Sequence, residues 1–355
     1  MRVLEIIDGE TYGGITKLML DIRNNINDID IDFLTHIPLY DESIKNSYSL
    51  NISRKTIKGK IIYNHRLRKF LKKNKYDVVH INSAVFLYSF QVVIICKLCG
   101  IKKIIVHSHN TPHISRLRKI IIKIFNPLYR KLTNVHLTCS NEATKSLFTK
   151  SDDVIIIENG VDIDKYKYNE KIRNEYRKKL NIEGKIVYGH VGRFHPQKNH
   201  EFLIDLFHEI SLKQDNSILL LIGRGELEEK IKQKVKDLKL EDKVLFLGFR
   251  QDIDKLMNAM DIFLLPSIHE GLPVVIIEAQ TSGLEVFVSK NVTSDAKITK
   301  KFHKINSYDK SKWQQRILNT KLESREYTYK EVIKKGYDIK KVSKKLETIY
   351  KNLIQ

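Results

Sequence analysis

The sequence predicts an α/β protein of two doubly wound domains, and three observations carry this. Short β-branched runs alternate with amphipathic stretches, the alternation restarts midway, and 355 residues suffice for two ordinary cores. In the first half the strands read RVLEIID (2–8), IDFLTHI (31–37), YDVVHIN (76–82), KKIIVHSH (102–109), NVHLTCS (134–140) and DVIIIEN (153–159). Helical stretches such as ITKLMLDIRNNI and NEATKSLF lie between them. The second half restarts with KIVYGHVGRF (185–194) and continues through SILLLIG (217–223), KVLFLG (243–248), DIFLLPS (261–267) and EVFVSK (285–290). Such βαβ alternation predicts parallel sheets covered by helices on both faces. The expected domains are 1–170 and 171–355, joined near DIDKYKYNEKIRNEYRKK. The lysine-rich helices at the end of the chain are expected to pack back on the first domain.

A hydrophobic share of 42% beside a charged share of 30% is that of a soluble globular chain. The run VFLYSFQVVIIC (85–96) is too short to span a bilayer and carries Ser89 and Gln91. MRVLEIIDGE has acidic residues where a signal peptide needs an apolar stretch, so a cytoplasmic location is expected. Cys96 and Cys99 form a C-x-x-C with no second pair to complete a zinc site, which favours apolar helix packing. Charge is uneven. Residues 51–150 hold 21 Lys/Arg against 2 Asp/Glu, while the whole chain nets +21. That region is built to face something anionic: nucleic acid, a membrane surface or a polyanionic substrate.

In open α/β sheets ligands bind beyond the carboxyl ends of the strands, so residues just after strands are the candidates. YGHVGRFHPQKNH (188–200) ends a strand at Val191, followed by Gly192 and Arg193, and Lys198 lies at the start of the next helix, HEFLIDLF. Glycine lets a ligand approach the backbone, and Arg and Lys near a helix start supply positive charge to phosphates. A plain turn with solvated basic side chains reads equally well. IGRGELEEKI (222–231) gives Gly223-x-Gly225 without the third glycine of a dinucleotide fingerprint, so a tight turn is the simpler account. HEGLPVVIIEAQTSG (269–283) puts Pro273 at the first helical position and Gly283 just past the helix end. Glu270 then belongs to a loop and Glu278 to the early turns. Glu278, acceptor-only and set in an apolar segment, matches two neighbouring hydroxyls such as those of a ribose. Glu270 and the amides of Gly271 and Leu272 stand at the helix entrance, where a phosphate or a sugar hydroxyl would fit. His107 and His109 share a strand face. H-x-H can bind zinc, but no further ligand follows closely, which favours a structural His107 and a strand-end His109.

Arg193 with Lys198, followed by E-x7-E at Glu270 and Glu278, resembles the signature of the retaining glycosyltransferases of family 4, which have the GT-B fold. The likeness runs through ETYGGITKLM, DVVHINSA, HSHNT, LTCSNEATKSLF, ENGVDIDKY, VGRFHPQKNHEFLI, FLGFRQDIDKLMNAMDIFLLPS and HEGLPVVIIEAQTSGLEV. HSHN with EGLPVVIIEAQ is most like the branch that builds capsular and exopolysaccharide repeat units in bacteria. The resemblance implies two Rossmann-like domains facing each other across a cleft, the first for acceptor and membrane, the second for the donor. It implies that Arg193 and Lys198 bind the donor diphosphate, with Gly192 beside them, and stabilise the charge developing on it. It further implies that Glu278 holds the ribose, and that Glu270 with Gly271 and Leu272 contacts the transferred sugar. Gly13 and Gly14 would close on the diphosphate, and His109 would face the reacting sugar. The expected co-substrate is a nucleotide-diphosphate sugar, with UDP as its carrier, and neither a cofactor nor a catalytic metal is expected.

The chain departs from the family pattern at Glu285, where proline is usual, at Asn110, where many relatives have aspartate, and in the basic stretch SKNVTSDAKITKKF. The acceptor implied is a lipid-linked oligosaccharide at the inner face of the plasma membrane. ISRLRKIIIKIFNPLYRKL (114–132) suits such a surface, mixing Arg116, Arg118, Lys119, Lys123, Arg130 and Lys131 with Ile121, Ile122, Phe125 and Leu128. A helix merely covering the sheet is the alternative. A soluble glucoside, a teichoic-acid polymer or a protein side chain would be other acceptors for the same fold. Nucleic acid is disfavoured as a partner, since no aromatic-studded RNA motif or zinc finger is present.

Overall fold

The computed structural model describes residues 1–8, 13–38, 46–109 and 115–355. They form two compact units: Met1–Gly160 together with Asp338–Gln355, and Val161–Tyr337. In the first unit the strands are β1 (Arg2–Ile7), β2 (Asp30–Thr35), β3 (Ser47–Ser49), β4 (Val78–Asn82), β5 (Lys103–Ser108), β6 (Val135–Thr138) and β7 (Val154–Ile156). They form one sheet in the order β3-β2-β1-β4-β5-β6-β7, every pair parallel. β1, β4 and β5 are buried along nearly their whole length. A parallel strand covered on both faces reads as a continuous apolar run, as these do.

The first unit's helices begin with α1 (Gly14–Arg23), α2 (Ile57–Lys73), α3 (Phe86–Leu98), α4 (Arg116–Leu132) and α5 (Asn141–Leu147). α2, α4 and α5 are started by hydroxyl caps, Thr56, Ser115 and Ser140, each accepting from a backbone amide three residues on. Tyr63, Leu67 and Leu71 of α2, Val92, Val93 and Cys96 of α3, and Ile122 and Tyr129 of α4 pack one face of the sheet against Leu4, Ile6, Val79, Ile81, Ile104 and Val106. Cys96 is thus a core residue of a helix, and Cys96, Cys99 and Cys139 are free thiols.

The second unit opens with α6 (Ile163–Tyr166) and α7 (Glu170–Lys179). It continues as β8 (Ile186–Val191), α8 (His200–Lys213), β9 (Ser217–Ile222), α9 (Glu228–Asp237), β10 (Val244–Gly248), α10 (Ile253–Ala259) and β11 (Ile262–Leu265). It closes with α11 (Val274–Thr281), β12 (Glu285–Ser289), β13 (Phe302–Ile305), α12 (Lys310–Leu318) and α13 (Thr328–Lys334). Its parallel sheet runs β10-β9-β8-β11-β12-β13. Tyr188, Leu219, Leu221, Leu264 and Phe287 meet Leu203, Phe207 and Ile210 of α8 and the buried Trp313 of α12.

The change of unit falls at Gly160, earlier than the expected boundary near 170, because α6 packs on α10 and α11. Of the C-terminal helices only α14 (Ile339–Ile354) belongs to the first unit, packed against α1, while α13 stays on α11. The second unit is therefore an insertion between Gly160 and Asp338. Its two ends are stitched together by Val161 N–H donating to Tyr337 O at 2.8 Å. Strand order reverses between β1 and β4 in one sheet and between β8 and β11 in the other, the places where such sheets leave room for ligands.

Candidate active site

In the second unit, the loops after β8 and β11 carry the candidate residues of the donor side. After Val191 the chain passes Gly192 and Arg193 into a single 3-10 turn, Pro196–Lys198, and Asn199 in the left-handed region (φ 57°) then starts α8. Lys198 therefore closes a turn ahead of α8 and does not lie within it, a small correction to the sequence reading. Its Nζ meets Glu270 Oε1 at 2.5 Å, with the two side chains 17% and 8% exposed. The pair bridges 72 positions of sequence. Glu270 is fixed independently, its N–H donating to Asn291 O at 3.2 Å, while Gln197 binds the neighbouring backbone at Ile268 and His269. A charge-assisted contact this short keeps an ammonium in place while it is partly removed from water.

α11 starts one residue later than expected. Pro273 is its cap (φ −73°, ψ 125°) and Val274 its first residue. Gly283 (φ 71°) closes it, with Gly283 N–H to Gln280 O and Leu284 N–H to Ala279 O forming a Schellman end. Glu278 is buried at 4% exposure in that helix, and Gly271 and Leu272 are buried at its entrance. Arg193 is half exposed and pairs with Glu226 at 3.2 Å, in the loop after β9. Gly223 and Gly225 serve close packing of the two loops. A Cβ on Gly223 (φ 143°) would lie 2.1 Å from Gly192 O, and one on Gly225 would lie 2.4 Å from Phe194 O. His190 and His200 stand beneath, and burial lowers both, His200 to about 4, with Lys198 adding to the shift.

In the first unit, His109 follows the last residue of β5 and is 5% exposed. Its Nε2 contacts Asn82 Oδ1 at 2.7 Å, and its ring centroid lies 3.8 Å from that of His107. Burial, with His80 second, lowers His109 to about 3, so its ring is neutral at neutral pH, although the amide of Asn159 works the other way. His107 is fully buried, stacked on His80 at 5.3 Å, and neither ring nitrogen has a hydrogen-bond partner among the described residues. Burial holds it far below the ordinary histidine range. Among the described residues no cluster of His, Cys, Asp or Glu is suited to hold a metal ion. Gly13 is the extended N-cap of α1 and Gly14 its first residue, and both are exposed. Glu10, Thr11 and Tyr12 of the same motif lie outside the described residues, as do Asn110 and Thr111.

Sequence reasoning missed several polar groups at this sheet edge. Ser83 Oγ donates to Asp8 Oδ2 at 2.5 Å, and His36 and Arg54 lie 3.8 and 3.9 Å from Asp8 Oδ1. Behind His109 stand Glu5, His80 and Asn82, all buried. A signal was available, since Glu5 is a carboxylate inside the apolar run RVLEII. Glu285 is equally internal. It opens β12 at 4% exposure, 3.4 Å from Lys301 Nζ and 2.7 Å from His303 Nε2, at the strand end away from the loops described above.

Along α4, Arg116, Arg118, Lys119, Lys123 and Lys131 are exposed, whereas Arg130 is held by Asp153 and lies over Phe148. Ile122 is in the core and Ile121 half-buried, so the outward apolar stripe is Leu117, Ile120, Ile124, Phe125 and Leu128. Phe125 continues it to Phe90 of α3 at 5.7 Å. Beyond lies a groove of about 560 Å³ between α2 and α3, lined among others by Arg68, Leu87, Ile94 and Leu98. None of the described helices is long and apolar enough to cross a membrane.

Two parallel sheets with polar residues gathered beyond their switch points define an α/β ligand-binding class. A family model described as "Glycosyltransferase Family 4" matches residues 29–165, and one described as "Glycosyl transferases group 1" matches residues 172–338. The chain belongs to glycosyltransferase family 4 and has the GT-B fold. EpsF of Bacillus subtilis (strain 168) is 29% identical over 311 residues, covering 82% of this chain and 80% of its own. The UDP-Gal:alpha-D-GlcNAc-diphosphoundecaprenol alpha-1,3-galactosyltransferase of Escherichia coli is 31% identical over 234 residues, 63% of this chain and 60% of that one. Among solved structures, Anabaena Alr3699/HepE in complex with UDP-glucose matches with a TM-score of 0.76 at 18% identity, covering 99% of this chain and 100% of the other.

Proposed function

We propose that this glycosyltransferase moves a sugar from a UDP-sugar to a hydroxyl of a lipid-linked oligosaccharide, with retained anomeric configuration, in bacterial capsule or exopolysaccharide assembly. The observation that carries the donor side is the Lys198–Glu270 pair at 2.5 Å beyond the strand ends of the second unit. In this reading Lys198 and Arg193 neutralise the departing diphosphate, so no metal ion is needed there. Glu270 orients the sugar, with the amides of Gly271 and Leu272, while Glu278 takes the ribose. His109, neutral at working pH, faces the reacting sugar and carries no charge. Retention by a carboxylate nucleophile would need a second carboxylate placed for it. Glu270 is already committed to Lys198, so attack on the leaving-group face, helped by the departing phosphate, is the route we favour.

The acceptor assignment draws on the Escherichia coli relative, whose name specifies a diphosphoundecaprenol acceptor, and on α4. Five exposed cations beside an outward apolar stripe favour an anionic leaflet by roughly 1 kcal/mol each. The protein would then act at the inner face of the plasma membrane while remaining peripheral. Lys198→Ala and Glu270→Ala should each lower turnover of a UDP-sugar about 100-fold, the scale of a lost charge-stabilising contact, with the circular dichroism spectrum unchanged. Full turnover in either variant overturns the donor assignment. Transfer to a soluble glucoside, teichoic acid or protein, with none to a lipid extract, overturns the acceptor assignment.

A further inference from the structure

Behind His109 lies a file of buried polar groups joining three strands and the last helix of the first unit. Glu5 of β1 is 1% exposed, His80 and Asn82 of β4 are fully buried, and Tyr350 of α14 is fully buried. Tyr350 donates its hydroxyl to Glu5 Oε1, and His80 Nδ1 lies 3.0 Å from the same oxygen and 2.7 Å from the Tyr350 hydroxyl. The other carboxylate oxygen, Oε2, accepts from Asn82 Nδ2 at 2.5 Å. Asn82 then has only its carbonyl Oδ1 to offer His109 Nε2, at 2.7 Å.

We propose that Glu5 and Asn82 are positioning residues that set the ring tautomer of His109, holding the proton on Nε2 and leaving Nδ1 as a hydrogen-bond acceptor. The logic is directional. A carboxylate can only accept, so the atom of Asn82 facing Glu5 must be the amide nitrogen. The atom facing His109 is therefore an oxygen, which accepts only if Nε2 carries the hydrogen. Asn159, the other amide acting on this ring, does not decide the matter. An amide can meet a bare nitrogen or an N–H, so it follows the tautomer, whereas Asn82 is committed by Glu5. The buried ring takes up no proton near neutrality, so the two neutral tautomers are the only states between which the file must choose. Resting on the reading of His109 as the group facing the sugar, this leaves the ring an acceptor at Nδ1, an atom buried among the described residues.

Glu5→Gln tests the relay, because the amide it introduces can donate to Asn82. The Asn82 amide then turns over, Nδ2 faces His109 Nε2, and the ring proton moves to Nδ1. Adding Asn82→Asp restores an acceptor toward both neighbours and should return the proton to Nε2. The tautomer is read from the ring ¹⁵N shifts of His109, assigned by comparison with His109→Gln. Expected are Nε2–H in the wild type, Nδ1–H in Glu5→Gln, and Nε2–H again in the double variant. Turnover of a UDP-sugar should fall about 10-fold or more in Glu5→Gln and recover in the double variant, the scale of a misplaced proton-transfer or hydrogen-bonding group. UDP affinity by calorimetry should stay unchanged throughout. A wild type with the proton on Nδ1, or a Glu5→Gln protein that keeps Nε2–H, overturns the relay. The wild-type spectrum alone decides the matter if Glu5→Gln does not fold. Tautomers that switch as described while turnover does not change would keep the relay and overturn the catalytic reading of His109.

Discussion

Glu285, Lys301 and His303 form a closed group inside the second unit, and their chemistry explains why a position usually given to proline can carry a carboxylate. Lys301 is 3% exposed and donates to Glu323 O as well as meeting Glu285. Burial pulls Lys301 below the ordinary lysine range, and Glu285 partly restores it. A buried ammonium deprived of its carboxylate is expensive, so Glu285→Ala should cost about 3 kcal/mol of stability. The expected signature is a lowered urea midpoint with kcat unchanged, since the group sits at the opposite strand end from Lys198 and Glu270. A variant with normal stability would mean that Lys301 finds water instead. Arg325 illustrates the same economy of polar groups. Half-buried, it donates to the carbonyls of Met257, Asn258, Met260 and Ser282, and removal of its guanidinium from water lowers it to about 9.

Elements are legible in the sequence where they are long or buried, and faint where they are neither. β1, β4, β5, β8, β9, β11 and β12 stand out as apolar runs because both faces are covered. β3 (SYS) and β13 (FHKI) leave no such trace, being short edge strands without a β-branched run. The Schellman end at Gly283 is readable from one glycine, since only a residue tolerant of positive φ fits there. The candidate site divides in the same way. Loop residues with unusual chemistry (Arg193, Lys198, Glu270) can be picked out, but which of them meet cannot, because pairing across 72 positions is a property of the sheet order. On α4 the basic residues are readable, yet the register of the apolar stripe is not, since Ile120 to Ile122 form an unbroken run in which Ile122 enters the core, Ile121 packs half-buried against it and Ile120 turns outward. Replacing Ile120 and Ile124 by Ser should leave the fold intact, both side chains being exposed at 55% and 63%. It should also abolish flotation with anionic vesicles at low salt. Wild-type protein that fails to float, or floats equally at high salt, removes the electrostatic part of the membrane reading.

At the scale of the whole molecule, five buried histidines set the acid limit of stability. His109 is lowered to about 3, His136 and His200 to about 4, and His107 and His190 well below the ordinary histidine range, all chiefly by burial. Unfolded histidine titrates near 6.5, so below that pH the unfolded chain binds protons that the folded chain refuses. Stability is therefore full above about pH 6.5 and is lost as pH falls toward the folded values, by about 1.4 kcal/mol per pH unit for each histidine involved. Urea midpoints should drop between pH 7.5 and pH 5.5 for both units. A flat profile would place these rings in contact with water. The hydrogen bond between Val161 and Tyr337 has another consequence, because a middle segment whose two ends already touch can be cut out like a bead from a clasp. Gly160 lies against Ile339, near enough that a Cβ there would come within 3.0 Å of its Cα, so the outer segments can be rejoined directly. Residues 161–337 made alone should fold and still bind UDP, while the rejoined remainder should fold and bind none, parting the handling of the nucleotide from the handling of whatever receives the sugar.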